Sequence, residues 1–262
     1  MGYDSLKKRT ETSEDKDDLL ARSQCASMET LSNPVKFTLT HPFRCLVSGS
    51  TGAGKSTLVL EMFRNYDSFF DVEFDHVIYF HPEEEATMTE SRKSYIGKLE
   101  EAAPNLIVVE GLPKTEEVLD TPGKKLLVID DLFYHAANSF DFLMMAIHVS
   151  RHSSTSFILT SQNLYFPSKY RVTLTRQISD YILFPGLVDK SVLHSLSKQL
   201  FDDRKFLAEC TEWLKKRFKY QYQRCIWIDL NVLNQSMEDD LRVRANIVAR
   251  NPLIVFQKTE DK

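Results

Sequence analysis

The sequence has no apolar run approaching the roughly 20 residues that a bilayer-spanning helix needs. Its first thirty residues are polar and of mixed charge, without the apolar core of a secretory signal. Neither a membrane-spanning nor a secreted protein is expected. Cysteine is scarce: Cys25, Cys45, Cys210 and Cys225 are scattered and form no CxxC pair. A disulfide framework or zinc site is therefore not expected; free or buried thiols in a reducing, intracellular compartment are. A strong charge of one sign is missing too, with 33 basic against 37 acidic residues and a net charge of −4. A uniformly basic nucleic-acid binder is excluded, whereas a local basic surface is not.

What is present is an ordinary globular mixture, 42% hydrophobic and 27% charged, in 262 residues. A chain of this length can bury a sizeable core. Residues 1–33 are polar and lack sustained periodicity, so they read as a flexible arm. Residues 34–262 read as a single domain. Within it, short β-branched runs at 44–48, 74–80, 105–110, 124–130, 155–161, 180–184 and 225–230 predict strands. Helical patterns at 55–66, 90–102, 138–149, 189–200 and 204–220 alternate with them. Most strand runs are continuously apolar, as in strands covered on both faces. The expectation is an α/β fold with a largely parallel central sheet flanked by helices.

The segment Gly49–Ser50–Thr51–Gly52–Ala53–Gly54–Lys55–Ser56 matches GxxxxGK[ST] in full, with Thr57 opening the helix that follows. A strand runs in and an apolar helix runs out, which is the context the motif requires. Gly49, Gly52 and Gly54 let the backbone curl so that successive N–H groups converge on phosphate oxygens. Lys55 is expected to reach the β and γ phosphates of ATP, and the Ser56 hydroxyl to ligate Mg²⁺. The helix N-terminus adds its positive end to the same site.

A nucleotide hydrolase needs a second, acidic element. KKLLVIDDLF supplies four apolar residues, Leu126 to Ile129, ending in Asp130 and Asp131, about 75 residues after the phosphate loop. A buried strand ending in two carboxylates is costly unless the charges meet a cation or water. Asp130 is expected to act as magnesium partner, as in a Walker B element, and Asp131 as the general base. The strand 155–161 ends in Ser161–Gln162–Asn163, and carboxyl ends of neighbouring parallel strands line one crevice. Gln162 is thus expected near Asp131, orienting water. Arg151 is expected at a helix end on the carboxyl edge of the sheet. It reads either as a charge stabilising that helix end or as an arginine finger for a neighbouring subunit. Residues 204–224 carry seven Lys or Arg against two Glu, interleaved with aromatics. They read as a solvated amphipathic helix or as a sequence-blind grip on the DNA backbone.

In this order, GSTGAGKS, LLVIDDL and SRHSSTSFILTSQN resemble the genome-packaging ATPases of the FtsK/HerA superfamily, a RecA/ASCE-like P-loop group. The similarity is greatest to the poxvirus-type and Maverick/Polinton-type viral packaging ATPases. It continues through YRVTLTRQISDYILF, DKSVLHSLSKQ, RCIWIDL and LRVRANI, and covers about residues 40–250. The resemblance implies ATP and Mg²⁺ as cofactors, double-stranded DNA as a sequence-independent partner, and a homo-oligomeric ring. It also implies a capsid or portal-like vertex protein as partner, and a location in the host nucleus or cytoplasm or with the virion. Arg151, eleven residues before Gln162, matches the spacing of the superfamily's trans-acting finger. Arg171 matches a recurrent arginine after the sensor strand and is the second finger candidate. One departure is Asp131, where the superfamily often has glutamate. A P-loop small-molecule kinase and a non-catalytic nucleotide-dependent scaffold remain the alternatives at this point.

Overall fold

The computed structural model describes residues 26–31, 38–83, 89–103, 105–149, 152–165, 167–177, 180–184, 189–218, 224–230, 243–245 and 253–258. The strands are β1 (Ala26–Leu31), β2 (Arg44–Ser48), β3 (His76–His81), β4 (Leu106–Glu110) and β5 (Lys125–Ile129), then β6 (Thr155–Ser161), β7 (Tyr181–Phe184), β8 (Ile226–Asp229), β9 (Val243–Ala245) and β10 (Leu253–Lys258). The helices are α1 (Lys55–Arg64), α2 (Tyr66–Phe69), α3 (Glu90–Ala102), α4 (Thr115–Asp120) and α5 (Phe133–Ala136), then α6 (Phe140–Met144), α7 (Arg171–Gln177), α8 (Lys190–Phe201) and α9 (Phe206–Arg217). The strands make one sheet in the order β1-β10-β9-β8-β7-β2-β6-β5-β3-β4.

From β7 to β4 every neighbouring pair is parallel. The chain then extends this parallel half with β8, β9, β10 and β1, all antiparallel. The expected parallel sheet is present, and its antiparallel wing is a refinement. The strands β2, β5 and β6 are buried along their whole length, which is why their sequences read as continuous apolar runs. Alternate residues feed two cores. Leu46, Leu127, Ile129, Phe157 and Leu159 meet Phe142, Leu143, Leu196, Phe206 and Leu214 on one face. Cys45, Val47, Leu126, Val128 and Ile158 meet Leu58, Val59, Met62, Phe63 and Leu99 on the other. Helices α6, α8 and α9 thus cover one face, and α1 and α3 the other.

Several sequence expectations need correction. Residues 26–31 lie inside the expected arm, yet they pair antiparallel with β10, from Ala26 opposite Lys258 to Leu31 opposite Leu253. Main-chain hydrogen bonds to a sheet edge hold them, and such bonds leave no mark on side-chain composition. Residues 1–25, 32 and 33 lie outside the described residues. The helix expected over 138–149 is α6 followed by a π-helical turn over Met145–Val149. No helix among the described residues is long and apolar enough to cross a membrane. Cys45, Cys210 and Cys225 are buried free thiols, as expected.

The strand order decides where chemistry can occur. β6 lies between β2, which feeds the phosphate loop, and β5, which ends in Asp130 and Asp131. Parallel strands finish at one edge, so the ends of all three converge there. Helix α3, returning from β3 to β4, begins at the same edge.

Candidate active site

The phosphate loop leaves β2 at Gly49, whose N–H donates to the Ser161 carbonyl at 3.0 Å. That bond ties the loop to the end of β6. Gly52 at φ 78° and Gly54 at φ 94° take left-handed conformations that a side chain strains. Between them Ala53 is buried, and its N–H donates to the Ser50 carbonyl at 3.1 Å. Ser50 and Thr51 are exposed, Ser56 is half-buried and Thr57 is exposed at the start of α1. Lys55 Nζ donates to the loop's own carbonyls, Gly49 O at 2.7 Å and Ser50 O at 3.2 Å. Burial presses its ammonium below the ordinary value, while the carboxylates of Asp131 and Asp130 act in the opposite direction. The lysine and both acids therefore share one electrostatic site.

Asp130 is 6% exposed and its two oxygens are both satisfied. The Thr160 hydroxyl donates to Oδ1 at 2.7 Å, and the Tyr79 hydroxyl donates to Oδ2 at 2.7 Å. Hydrogen bonds to a charged acceptor contribute about 1.5–3 kcal/mol each, which keeps an aspartate affordable at the end of a buried strand. The same burial, with the Asp130 charge beside it, drives the Tyr79 phenol far above its ordinary value, so it stays a donor. Asp131 differs. Its backbone sits at φ 61°, a left-handed conformation that aspartate tolerates better than most residues, and its N–H donates to Thr160 Oγ1 at 2.9 Å. This turn points its side chain, 39% exposed, out toward the crevice.

Gln162 closes the gap between loop and acids. Its Nε2 donates to Asp131 Oδ1 at 2.9 Å, and its Oε1 accepts from Thr51 Oγ1 at 3.2 Å. The phosphate loop is thereby joined to Asp131 through one side chain. The interposed β6 makes that bridge possible. Lys55, Asp130, Asp131 and Gln162, drawn from three separated segments, are brought together as expected.

Three contributors were missed. Tyr79 and Thr160 sit within the strand runs FDHVIYF and TSFILTS, where a hydroxyl at the acid's register was the only available signal. The third is Arg92, near the N-terminus of α3. Its Nη2 lies 3.5 Å from Asp131 Oδ2 and 4.0 Å from Asp130 Oδ2. Nothing in ESRKSYIGKLEEA distinguishes it from a solvated charge.

Arg171, the second finger candidate, is not brought to the site of its own chain. Arg171 Nη1 donates to its own chain's Leu164 carbonyl at 3.1 Å, and its guanidinium lies 5.3 Å from the Tyr165 ring centroid. It walls a cavity of about 290 Å³ between α7 and α8 instead. Arg151 lies outside the described residues. In the basic stretch, Lys215 pairs with Glu212 and Arg217 stacks over Trp213. Arg204, Lys205 and Lys216 are exposed, and Lys219 lies outside the described residues.

The donors fit a nucleoside triphosphate with a hard divalent cation. A glycine-curled loop offers N–H groups and an ammonium for phosphate, while Ser56 and Asp130 offer oxygens of the kind Mg²⁺ takes. The fold is α/β, with a largely parallel central sheet whose β2 runs into the phosphate loop. Neither a protein-family model nor a curated protein matches the chain. Among solved structures, the chain is similar to the genome packaging NTPase B204 from Sulfolobus turreted icosahedral virus 2 in complex with ATP-gammaS, at 19% identity and TM-score 0.42, covering 72% of this chain and 93% of that one. The same NTPase in complex with sulfate gives 17% identity and TM-score 0.45, covering 84% and 98%. The flagellar accessory protein FlaH from Methanocaldococcus jannaschii gives 14% identity and TM-score 0.39, covering 57% and 73%.

Proposed function

We propose that the chain is an ATP-hydrolysing motor that translocates double-stranded DNA and packages a viral or mobile-element genome into a capsid. The observation that carries the hydrolytic half is the line Thr51–Gln162–Asp131, which joins the phosphate loop to a turned-out carboxylate. In the reaction, a water oxygen bonds to the γ-phosphorus as the bond from that phosphorus to the bridging oxygen breaks. ADP leaves with the electron pair, and Asp131 takes the water's proton. Gln162 orients the water and Lys55 turns from the loop carbonyls to the phosphates. Ser56 and Asp130 would hold Mg²⁺, whose chemistry is to neutralise developing phosphate charge.

The motor half rests on the resemblance of GSTGAGKS, LLVIDDL, SRHSSTSFILTSQN and the segments after them to packaging ATPases. The exposed Arg204, Lys205 and Lys216 supply charge for a backbone grip without base reading. A homo-oligomeric ring and a capsid or portal-like partner complete the proposal.

Lys55→Ala is expected to lose nucleotide binding or turnover, because the γ-phosphate loses its cation. Fluorescent-nucleotide titration and phosphate release check this, and wild-type turnover would refute the site. Binding to duplex DNA is expected to weaken steeply with salt and to show little sequence preference. Fluorescence anisotropy on unrelated duplexes at two salt concentrations tests it; a strong preference for one short sequence removes the protein from the motor class. The experiment for the whole reading is ATP turnover with and without duplex DNA. Stimulation by DNA supports the motor, a phosphorylated small-molecule product indicates the kinase, and no turnover indicates the scaffold.

A further inference from the structure

The guanidinium of Arg92 is poorly matched to its surroundings. Its side chain is only 15% exposed. Both approaches to the acids, 3.5 Å and 4.0 Å, exceed hydrogen-bond length. Its Nη1 is buried without a hydrogen-bond partner among the described residues. A buried charged donor left unpaired is expensive, and guanidinium geometry suits the paired oxygens of a phosphate. Lys55 shows the same want, spending its ammonium on loop carbonyls. Two cations thus attend one acid pair, one from the phosphate loop and one from α3.

The location of Arg92 follows from the fold. The Thr89 hydroxyl accepts from the Arg92 N–H at 3.3 Å, capping α3 at the edge where β5 and β6 end. Helical side chains lean toward the N-terminus, which carries the guanidinium over that edge. Meanwhile both oxygens of Asp131 are engaged, Oδ1 by Gln162 and Oδ2 by the Arg92 charge. A base so occupied must release one oxygen before it can accept a proton from water.

We infer that Arg92 senses the γ-phosphate within its own subunit: a triphosphate draws the guanidinium from Asp131 Oδ2, fills its unpaired donor and frees the base, whereas a diphosphate does not. This rests on the ATPase reading and adds to it a residue that separates ATP from ADP. Arg92 completes the phosphate's cation set alongside Lys55 and couples arrival of the third phosphate to readiness of the base.

The test uses the full chain with Arg92→Met, which keeps an apolar stem, and Arg92→Lys, which keeps the charge. Affinities for ATPγS and for ADP are measured by calorimetry with Mg²⁺, and turnover by phosphate release. The expected result for Arg92→Met is weaker ATPγS binding, unchanged ADP binding, and a kcat lowered on the order of 10³-fold, the scale of an arginine acting on a transferring phosphoryl group. Arg92→Lys is expected to recover part of both losses. An unchanged ratio of ATPγS to ADP affinity overturns the inference, as does an equal loss of both. A raised kcat also overturns it, since Arg92 would then be a brake. Wild-type chain that binds both nucleotides and hydrolyses nothing refutes the ATPase reading instead, while the affinity ratio still reports on Arg92.

Discussion

Arg151→Ala is expected to bind ATP like the wild-type chain and to lose nearly all turnover. Arg151 lies outside the described residues. As a finger it would act on a neighbouring subunit's nucleotide. Such a guanidinium contributes roughly 10³ to 10⁵ in rate in other phosphoryl-transfer enzymes. A charge at a helix end contributes only about 0.3–1 kcal/mol of stability. The two roles differ in size and in which subunit suffers. Mixing Arg151→Ala with Lys55→Ala should restore part of the activity, because an intact site then meets an intact arginine across an interface. A mixture as inactive as its parts, with co-assembly verified, refutes a finger acting in trans. Arg171, held by Leu164 O and the Tyr165 ring, would then have to leave its own chain to serve.

Asp131→Asn should bind ATP and hydrolyse it about 10² to 10⁴ times more slowly, the usual worth of general base catalysis. The substitution isolates the chemistry well. Asparagine is among the residues best suited to the φ of 61° found here, so the turn survives. The backbone N–H still reaches Thr160 Oγ1, and Asp130 keeps its own two donors. What is lost is a carboxylate able to take the proton of the attacking water. Equilibrium binding and single-turnover hydrolysis separate the two effects. Loss of binding would assign Asp131 to folding or to the metal, and unchanged hydrolysis would remove it from the mechanism.

The legible part of this protein was the part written contiguously. The phosphate loop is eight adjacent residues whose types each have a stated task, and the acid pair ends an apolar run that is otherwise hard to explain. Gln162 was legible because parallel strands share a carboxyl edge, a rule that needs no coordinates. Arg92 was not, since its partner is nearly forty residues away and its helix displays several other charges. Tyr79 and Thr160 were hidden because one hydroxyl scarcely alters the apolar character of a strand. The β1 pairing was missed for a different reason: edge strands are held by main-chain bonds that any sequence can make.

Displacement of a third strand from a DNA triplex tests translocation most directly. Full-length chain is mixed with duplex DNA carrying the triplex-forming strand, with Mg²⁺ and ATP. Release of that strand is predicted with ATP, absent with ATPγS and absent for Lys55→Ala, whatever the sequence of the duplex track. ATP hydrolysis that proceeds while the third strand stays bound would contradict the motor.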